Sequence, residues 1–309
     1  MEIFKKGYYK IFSNSLSLED SFLFNTYEYY ELHSSSNTDY FKLSFKENLV
    51  AIICVKQEDN NIWKSPIRGT FGGFEFVNNV SPQIIHDSIL FFEEFAKSKR
   101  KIDAINFTLP PIFYNSAQST LVNILLRLNY KIINNELNHY SVLNKSPLRS
   151  EMNKTFKKKL NRLLKNDLEF SISSNITESY DLLKINRENR GVKISMSLEK
   201  LVEMKKKLNE NVLFFDLKSE LGLLASSVCI SINKSVLYVL YWGHNKEYDH
   251  LSPVILLANK IHEFSQNNGY EIMDIGTSSL NGKIDEGLKK FKDSLGFENG
   301  LKFTFEKYI

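Results

Sequence analysis

Hydrophobic and polar positions follow the same order of predicted elements in two segments of the chain. In the first segment, strand-like runs precede a Gly-containing stretch, an apolar helix, a strand, a second helix and more strand. These elements are expected at residues 40–45, 49–56, 67–76, 81–97, 102–107 and 119–128, with the last strand after residue 130. The pattern predicts an α/β unit with several short strands.

The second segment repeats this order. Its elements are expected at residues 212–217, 221–232, 236–242, 252–266, 271–275 and 285–292, before a closing strand. The repeated order favours a duplication over two unrelated domains. We therefore predict an N-terminal domain at residues 1–147 and a C-terminal domain at residues 148–309. Each is expected to be an α/β domain with a mixed, mostly antiparallel sheet flanked by helices.

A Ser-Pro pair precedes the first apolar helix of each segment, Ser81-Pro82 and then Ser252-Pro253. Ser is a favoured N-cap, and Pro suits the first helical position because its missing N–H would have no partner there. Apolar residues follow both pairs at helical spacing. The pattern therefore predicts a capped, amphipathic helix in each half.

The segment between the halves predicts a helix at residues 151–166 with one apolar and one basic face. The basic side chains are those of Lys154, Lys158, Arg162 and Lys165. Such a stripe is either a solvated helix face or a wall that binds phosphate. The sequence leaves both interpretations open.

The composition is that of an ordinary globular protein. The chain has 309 residues, of which 42% are hydrophobic and 25% charged, and this length suits two domains. The net charge of +4 is too small to indicate a nucleic-acid-binding protein. No apolar run approaches the roughly 20 residues of a membrane helix, so we expect a cytoplasmic protein.

Cysteine and histidine usage gives no sign of a metal centre. Cys54 and Cys229 both lie in apolar runs and are expected to be buried in strands. His244 and His250 flank Asp249, but no further ligand has a telling spacing. We therefore predict no metal site. The standard nucleophile, Walker and dinucleotide motifs are also absent.

The stretch from Tyr238 to Phe297 is the most informative about chemistry. A strand runs through a loop to the helix after Ser252, and a helix N-terminus offers free N–H groups to an anion. Three short motifs follow: Asp274-Ile275-Gly276, the run from Gly287 to Lys292, and Leu295-Gly296-Phe297.

These motifs and the order of the elements resemble the GNAT superfamily of N-acyltransferases. They are most similar to its tandem-domain branch, which holds Fem-type aminoacyl transferases of peptidoglycan bridges and related N-acyltransferases of sugar metabolism. The stretch from Ser65-Pro66 to Phe71-Gly72-Gly73 resembles a Gly-rich segment of the first domain of that branch. The resemblance implies two GNAT-like domains, with acyl-CoA as co-substrate held by the second.

The sequence departs from this family at the loop that usually cradles the coenzyme A pyrophosphate. The family has a Q/R-x-x-G-x-G/A pattern, but the loop from His244 to Leu251 contains no Gly and no Arg. Either acyl-CoA is held differently or the donor is another molecule. The chain also lacks the charged heptads of a tRNA-binding arm, which favours a CoA donor over an aminoacyl-tRNA.

Amine attack on a thioester needs a proton acceptor and donors for the oxyanion. Asp274, His244 and Glu286 are the candidate bases, in that order. Backbone N–H groups near Trp242 and Gly243 are the candidate oxyanion donors. The resemblance implies that Lys292 stabilises charge or relays a proton; otherwise it is a surface lysine.

Further residues are candidates for binding. The substrate-binding candidates are Lys158 and Arg162 for a diphosphate, the rings of Phe74, Tyr241, Trp242 and Tyr248 for a sugar or a base, and also Gly243 and Ser278. The candidates for binding acyl-CoA are Ser252 and Lys289.

The favoured hypothesis is transfer of a short acyl group from acyl-CoA to a nucleotide-linked amino sugar. A dTDP-amino-deoxyhexose used in surface polysaccharide synthesis is one example. The alternative is a Fem-like transferase that uses aminoacyl-tRNA and a peptidoglycan precursor, the only case in which a nucleic acid is expected. A third possibility is a binding module that keeps the pocket without the chemistry.

Overall fold

A computed structural model describes residues 2–13, Leu18, residues 20–143 and residues 146–309. Packing divides the chain into two units. Unit 1 comprises Met1–Leu137, Asn281–Lys283 and Gly300–Ile309, and unit 2 comprises Asn138–Leu280 and Ile284–Asn299. Among the described residues, no helix combines the length and apolar character needed to span a bilayer.

The elements are numbered along the chain. The strands are β1 (Glu2–Lys6), β2 (Tyr9–Ser13), β3 (Thr38–Phe45), β4 (Asn48–Glu58), β5 (Ile62–Ser65), β6 (Glu75–Phe76), β7 (Ala104–Thr108), β8 (Lys131–Val142), β9 (Glu169–Ile172), β10 (Val212–Ser219), β11 (Gly222–Ser231), β12 (Val236–His244), β13 (Ile272–Thr277), β14 (Ser279–Leu280), β15 (Lys283–Ile284) and β16 (Glu298–Tyr308). The helices are α1 (Tyr27–His33), α2 (Pro82–Arg100), α3 (Ser116–Arg127), α4 (Leu148–Glu151), α5 (Lys154–Leu163), α6 (Ile176–Glu188), α7 (Leu198–Leu208), α8 (Val254–Asn267) and α9 (Glu286–Ser294).

Unit 1 is a sheet in the order β1-β2-β3-β4-β5-β7, extended by the final part of β16. β5 and β7 run parallel, and the other neighbours along this path are antiparallel. Ser81 caps α2 by accepting a hydrogen bond from the N–H of Ile84, which confirms the predicted cap. The apolar face of α2 packs into a core rich in aromatic side chains.

Unit 2 repeats this plan in the order β13-β12-β11-β10-β9, with the last residues of β8 pairing with β13. β12 and β13 run parallel, as β5 and β7 do in unit 1. The apolar side of α8 packs against β10 to β13, with Ile255, Leu257 and Ile261 almost fully buried. Cys229 lies in this core. Both cysteines are buried in strands, as expected, and both are free thiols.

The expected fold class, α/β with mixed and mostly antiparallel strand pairing flanked by helices, is confirmed. The packing units differ from a simple division between residues 147 and 148. The strand after α3 contributes Asn138–Val142 to the sheet of unit 2, and the strand after α9 contributes its final residues to the sheet of unit 1. Each half therefore contributes part of its closing strand to the other unit.

The helix expected at residues 151–166 is interrupted. α4 ends at Glu151, and α5 starts after Asn153, whose Oδ1 accepts a hydrogen bond from the N–H of Phe156. An Asn side chain in this position satisfies a free N–H of the first turn and so starts a new helix. The apolar stripe survives at Leu160 and Leu163, which are buried.

Candidate functional site

The candidate site of unit 2 begins where β12 and β13 separate. The two strands pair only from Val236 with Ile272 to Tyr238 with Asp274. Beyond this point β12 continues to His244, still paired with β11 on its other side. Among the described residues, the edge of β12 that faced β13 then has no strand partner, so its alternate backbone groups are available to a ligand.

β12 also contains a bulge just beyond the separation point. Val228 of β11 lies opposite Tyr241, but Cys229 lies opposite Val239, so Leu240 is an extra residue. A bulge turns the following residues and increases the local twist. The bulge therefore lies directly before Trp242 and Gly243, the residues expected to offer N–H groups to an oxyanion.

A cleft of about 400 Å³ opens at this end of β12. The end of β12, the loop after it, the start of α8 and the helices α6 and α9 supply its walls. The lining residues are Asn186, Arg190, Trp242, Gly243, His244, Asp249, Ser252, Val254, Gly287, Leu288 and Phe291. The cleft thus combines apolar walls with a few polar groups, as small-molecule sites do.

The start of α8 lies beside the cleft, which Ser252 and Val254 line. Pro253 occupies the cap position, and no side chain caps the helix. Ser252 was expected to cap α8, and this expectation is wrong. Ser252 adopts a left-handed conformation with φ of 57°, and its Oγ accepts a hydrogen bond of 2.9 Å from Nζ of Lys159.

An uncapped helix start next to a lysine attracts anions. The helix dipole places partial positive charge at the N-terminus of α8, and the ammonium of Lys159 adds a full charge. The loop before α8 carries two carboxylates, Glu247 and Asp249, against one lysine, Lys246. The helix start beside Lys159 is therefore more electropositive than the loop.

His244 and Asp249 form a close pair among the lining residues. Nε2 of His244 lies 2.6 Å from Oδ1 of Asp249. When the imidazole is neutral and Nε2 donates to this carboxylate, Nδ1 keeps its lone pair and can accept a proton. Of the three candidate bases, His244 alone lines the cleft.

Asn186 fixes the end of β12 from the side of α6. Its Nδ2 donates to the carbonyl oxygen of His244 at 2.8 Å. Its side chain approaches Gly243 so closely that a Cβ at that position would lie 2.8 Å from Oδ1. Glycine at position 243 is therefore required by the approach of Asn186.

Arg190 gives the cleft lining a cationic side chain. Its side chain is exposed and has no hydrogen bond or ion pair with the residues that the structure describes. The neighbouring Arg187 instead stacks on the ring of Tyr241, with its guanidinium carbon 5.1 Å from the ring centroid. Arg190, in the turn after α6, is thus an arginine that is available to an anionic ligand.

Asp274 lies on β13 with its side chain buried, and it does not line the cleft. Its Oδ1 accepts hydrogen bonds from the N–H of Gly276 at 2.6 Å and from Nδ2 of Asn138 at 2.7 Å. Ser278 is buried as well, 2.6 Å from Nε2 of His139. Both side chains are engaged within the protein interior.

Lys292 is neither a surface lysine nor a lining residue. It is 2% exposed, and its Nζ donates to the carbonyl oxygens of Ile275, Gly276 and Thr277, each at 2.8 Å. Lys289, on the same helix, forms an ion pair with Asp293 at 2.6 Å.

The other expected binding residues lie outside the cleft lining. Lys158, Arg162 and Glu286 are exposed, and Tyr248 is half-buried in the loop. Tyr241 is buried against Ser195 and Arg187. Phe74 lies in the aromatic core of unit 1. Core side chains pack around the ring of Phe74, so it is not available to a ligand. Four of the expected residues, Trp242, Gly243, His244 and Ser252, do line the cleft.

Lys159, Asn186 and Arg190 were missed from the sequence. Lys159 belongs to α5, but it lies next to the apolar face and outside the basic stripe of Lys154, Lys158, Arg162 and Lys165. Nothing in the local pattern marks Asn186 or Arg190, because α6 was not expected as an element of the site. Among the described residues, no group of three or more His, Cys, Asp or Glu side chains could hold a metal ion.

No family model matches the chain, and no curated protein sequence matches it. Solved structures do share its fold. FemX has a TM-score of 0.69 at 12% identity, covering 92% of this chain and 91% of FemX. The C-terminal domain of a putative lysylphosphatidylglycerol synthetase from Agrobacterium fabrum has a TM-score of 0.59 at 12% identity, covering 93% and 88%.

A tandem GNAT protein from the clavulanic acid biosynthesis pathway is also similar, with a TM-score of 0.52 at 9% identity, covering 92% of this chain and 87% of that protein. Identities at this level are evidence for the fold alone. The chain therefore has a GNAT-like α/β fold, in which the described cleft lies where two parallel strands separate.

Proposed function

We propose that the chain is an N-acyltransferase that holds an acyl thioester in the cleft of unit 2. The observation that carries the proposal is the separation of β12 from β13, which opens a cleft leading to the uncapped start of α8. An extended pantetheine arm would pair with the free edge of β12 as an added strand does. The resemblance to the GNAT superfamily supports the same placement.

Lys159 and the first N–H groups of α8 would hold the diphosphate of an acyl-CoA. The loop lacks the family's glycines, but Ser252 provides an alternative turn in its left-handed conformation. Lys159 then supplies the charge that the missing loop arginine would supply. These residues fit a CoA donor held mainly by a helix start and one lysine.

The chemistry requires one bond to form and one to break. His244 would accept a proton from the attacking amine, with Asp249 holding the imidazole. The amine nitrogen forms a bond with the thioester carbon, and N–H groups near Trp242 and Gly243 would stabilise the oxyanion. The carbon–sulfur bond then breaks, and the thiolate leaves with the electron pair.

For the acceptor we propose the amine of a nucleotide-linked amino sugar. Arg190 supports this choice, because a nucleotide diphosphate needs a cation that is not already paired within the protein. Lys158 and Arg162 are exposed on α5, so they would contribute only as part of a basic surface.

The test is to mix the purified protein with acetyl-CoA or longer acyl-CoA donors and a panel of dTDP- and UDP-amino sugars, and to measure free thiol. We expect amine-dependent thiol release, with His250→Asn as an active control on the same loop. No thiol release across the panel, together with no CoA binding by calorimetry, would contradict the proposal. CoA binding without turnover would indicate a binding module instead.

The second candidate is a Fem-like transferase that takes its acyl group from an aminoacyl-tRNA and acts on a peptidoglycan precursor. The fold similarity to FemX over most of both chains favours it. It predicts a tRNA complex whose affinity falls steeply as salt is raised. Transfer of a labelled amino acid from charged tRNA, with no thiol release from acyl-CoA, would establish it over the first candidate.

A further inference from the structure

The ammonium of Lys292 ties α9 to the end of β13. Nζ lies 2.8 Å from each of three successive carbonyl oxygens, those of Ile275, Gly276 and Thr277. A lysine ammonium has three N–H donors. Each donor is therefore matched by one carbonyl of the same short segment.

The carbonyls converge because β13 is irregular here. The pairing with β8 shifts between Asp274 and Thr277, and Gly276 has a φ of +75°. The carboxylate of Asp274 holds the same turn from its amide side by accepting the N–H of Gly276. A cation and an anion thus clamp one backbone turn at the point where β13 leaves β12.

This geometry leaves Lys292 little capacity to act on a substrate. The residue is 2% exposed, and a buried ammonium is stable only when its donors are satisfied, as these are. The ammonium also acts on its surroundings: burial first, and the charge of Lys292 second, lower the pKa of His139 to about 4.

The same helix forms a wall of the cleft with its other face. Leu288 and Phe291 line the cleft, and the ring of Phe291 meets Trp242 of β12 at a centroid distance of 6.3 Å. Lys292 follows Phe291 directly in the chain. The distance between α9 and β12 therefore depends on how firmly Lys292 holds α9 against β13.

We propose that Lys292 is a positioning residue: clasped by the carbonyls of Ile275 to Thr277, it fixes the α9 wall of the cleft and does not touch the substrate. The consequence for ligand affinity rests on the proposed function. The consequence for the mobility of α9 does not.

The test compares Lys292→Met with Lys290→Met, an exposed lysine of the same helix. Hydrogen exchange of the backbone amides of α9 is the first readout. In Lys292→Met we expect the backbone amides of α9 to exchange about tenfold faster or more, because the helix loses three hydrogen bonds and opens locally more often. The exchange rates of unit 1 should not change. Lys290→Met should exchange like the wild type.

Coenzyme A binding and steady-state kinetics supply the second readout. We expect Lys292→Met to bind CoA about tenfold more weakly and to raise KM, while kcat at saturation and its pH profile stay within a few-fold of wild type. A fall in kcat of about 100-fold or more with unchanged KM and wild-type exchange in α9 would overturn the proposal, because Lys292 would then act in the chemistry.

Gly276→Ala provides a second test of the same turn if Lys292→Met does not fold. It keeps the ammonium but strains the turn, since a residue with Cβ rarely adopts φ of +75°. It should loosen α9 in the same way, and wild-type exchange in both variants would refute the proposal. If wild type binds no CoA while Lys292→Met still loosens α9, the proposed function fails and the positioning role stands.

Discussion

The rings of Trp242 and Phe291 meet edge to face where β12 and α9 line the cleft, with an interplanar angle of 90°. The chain has two tryptophans, and the other, Trp63, is fully buried in the core of unit 1. Fluorescence from an indole that lines the cleft should therefore report on a ligand there.

We expect coenzyme A to change the tryptophan emission of the wild-type protein in a saturable manner. Trp242→Phe should abolish the change while it retains a ring that packs against Phe291. Trp63→Phe is the matched control and should keep it. A ligand-induced change that survives Trp242→Phe would place the binding site elsewhere.

His244→Asn should lower kcat by about 10²–10⁴-fold, the usual contribution of a general base. Asp249→Asn should have a smaller effect, about tenfold, because it removes the partner that orients the imidazole. The affinity for CoA, measured by calorimetry, should stay unchanged in both. Equal activity of His244→Asn and His250→Asn would exclude His244 as the base.

Gly243→Ala should destabilise the protein by about 1–3 kcal/mol, since its Cβ would overlap the side chain of Asn186. It should also lower activity, because Asn186 holds the carbonyl of His244. Gly287→Ala is the matched control in a helix: its Cβ would meet Asp285 at an ordinary 3.4 Å. Thermal unfolding should show no loss of stability for Gly287→Ala.

His139 should make the protein less stable in acid. Burial, followed by the charge of Lys292, lowers its pKa to about 4 from 6.5. Between these values the unfolded chain binds a proton that the native protein does not, so stability falls as pH drops. Relative to His139→Gln, the wild type should lose about 3 kcal/mol between pH 7.5 and pH 4 in urea unfolding. Parallel curves for the two proteins would contradict this.

Glu75 should act in the opposite direction in unit 1. Burial raises its pKa to about 7, although the N–H of Phe22 and Nδ2 of Asn25 donate to its carboxylate. The native protein therefore retains a proton that the unfolded chain releases above about pH 4.5, and stability falls as pH rises to 7. From pH 4.5 to pH 8, Glu75→Gln should gain about 3 kcal/mol relative to wild type. A difference that does not vary with pH would show that Glu75 is ionised in the native state.

The motifs that suggested catalysis have, in part, structural roles. In Leu295-Gly296-Phe297, both apolar residues are buried in the core of unit 2. A Cβ on Gly296 would lie 2.6 Å from the backbone carbon of Glu151, so glycine is needed for close packing. Because its residues serve packing, the motif indicates the fold and says little about the reacting groups.

The sequence by itself determined the fold class and the order of the elements that the two halves share, because these follow from local periodicity and from caps such as Ser81. It also pointed to the end of β12. It did not predict α6 and α7, which lie between α5 and β10. Only the tertiary structure decided which polar side chains meet there. Lys159 reaches Ser252 across 93 positions of the chain, and Lys292 turns its ammonium into the interior to satisfy three carbonyls. Such pairings depend on how distant elements pack and on which buried polar groups must find partners, and neither is visible in a local pattern.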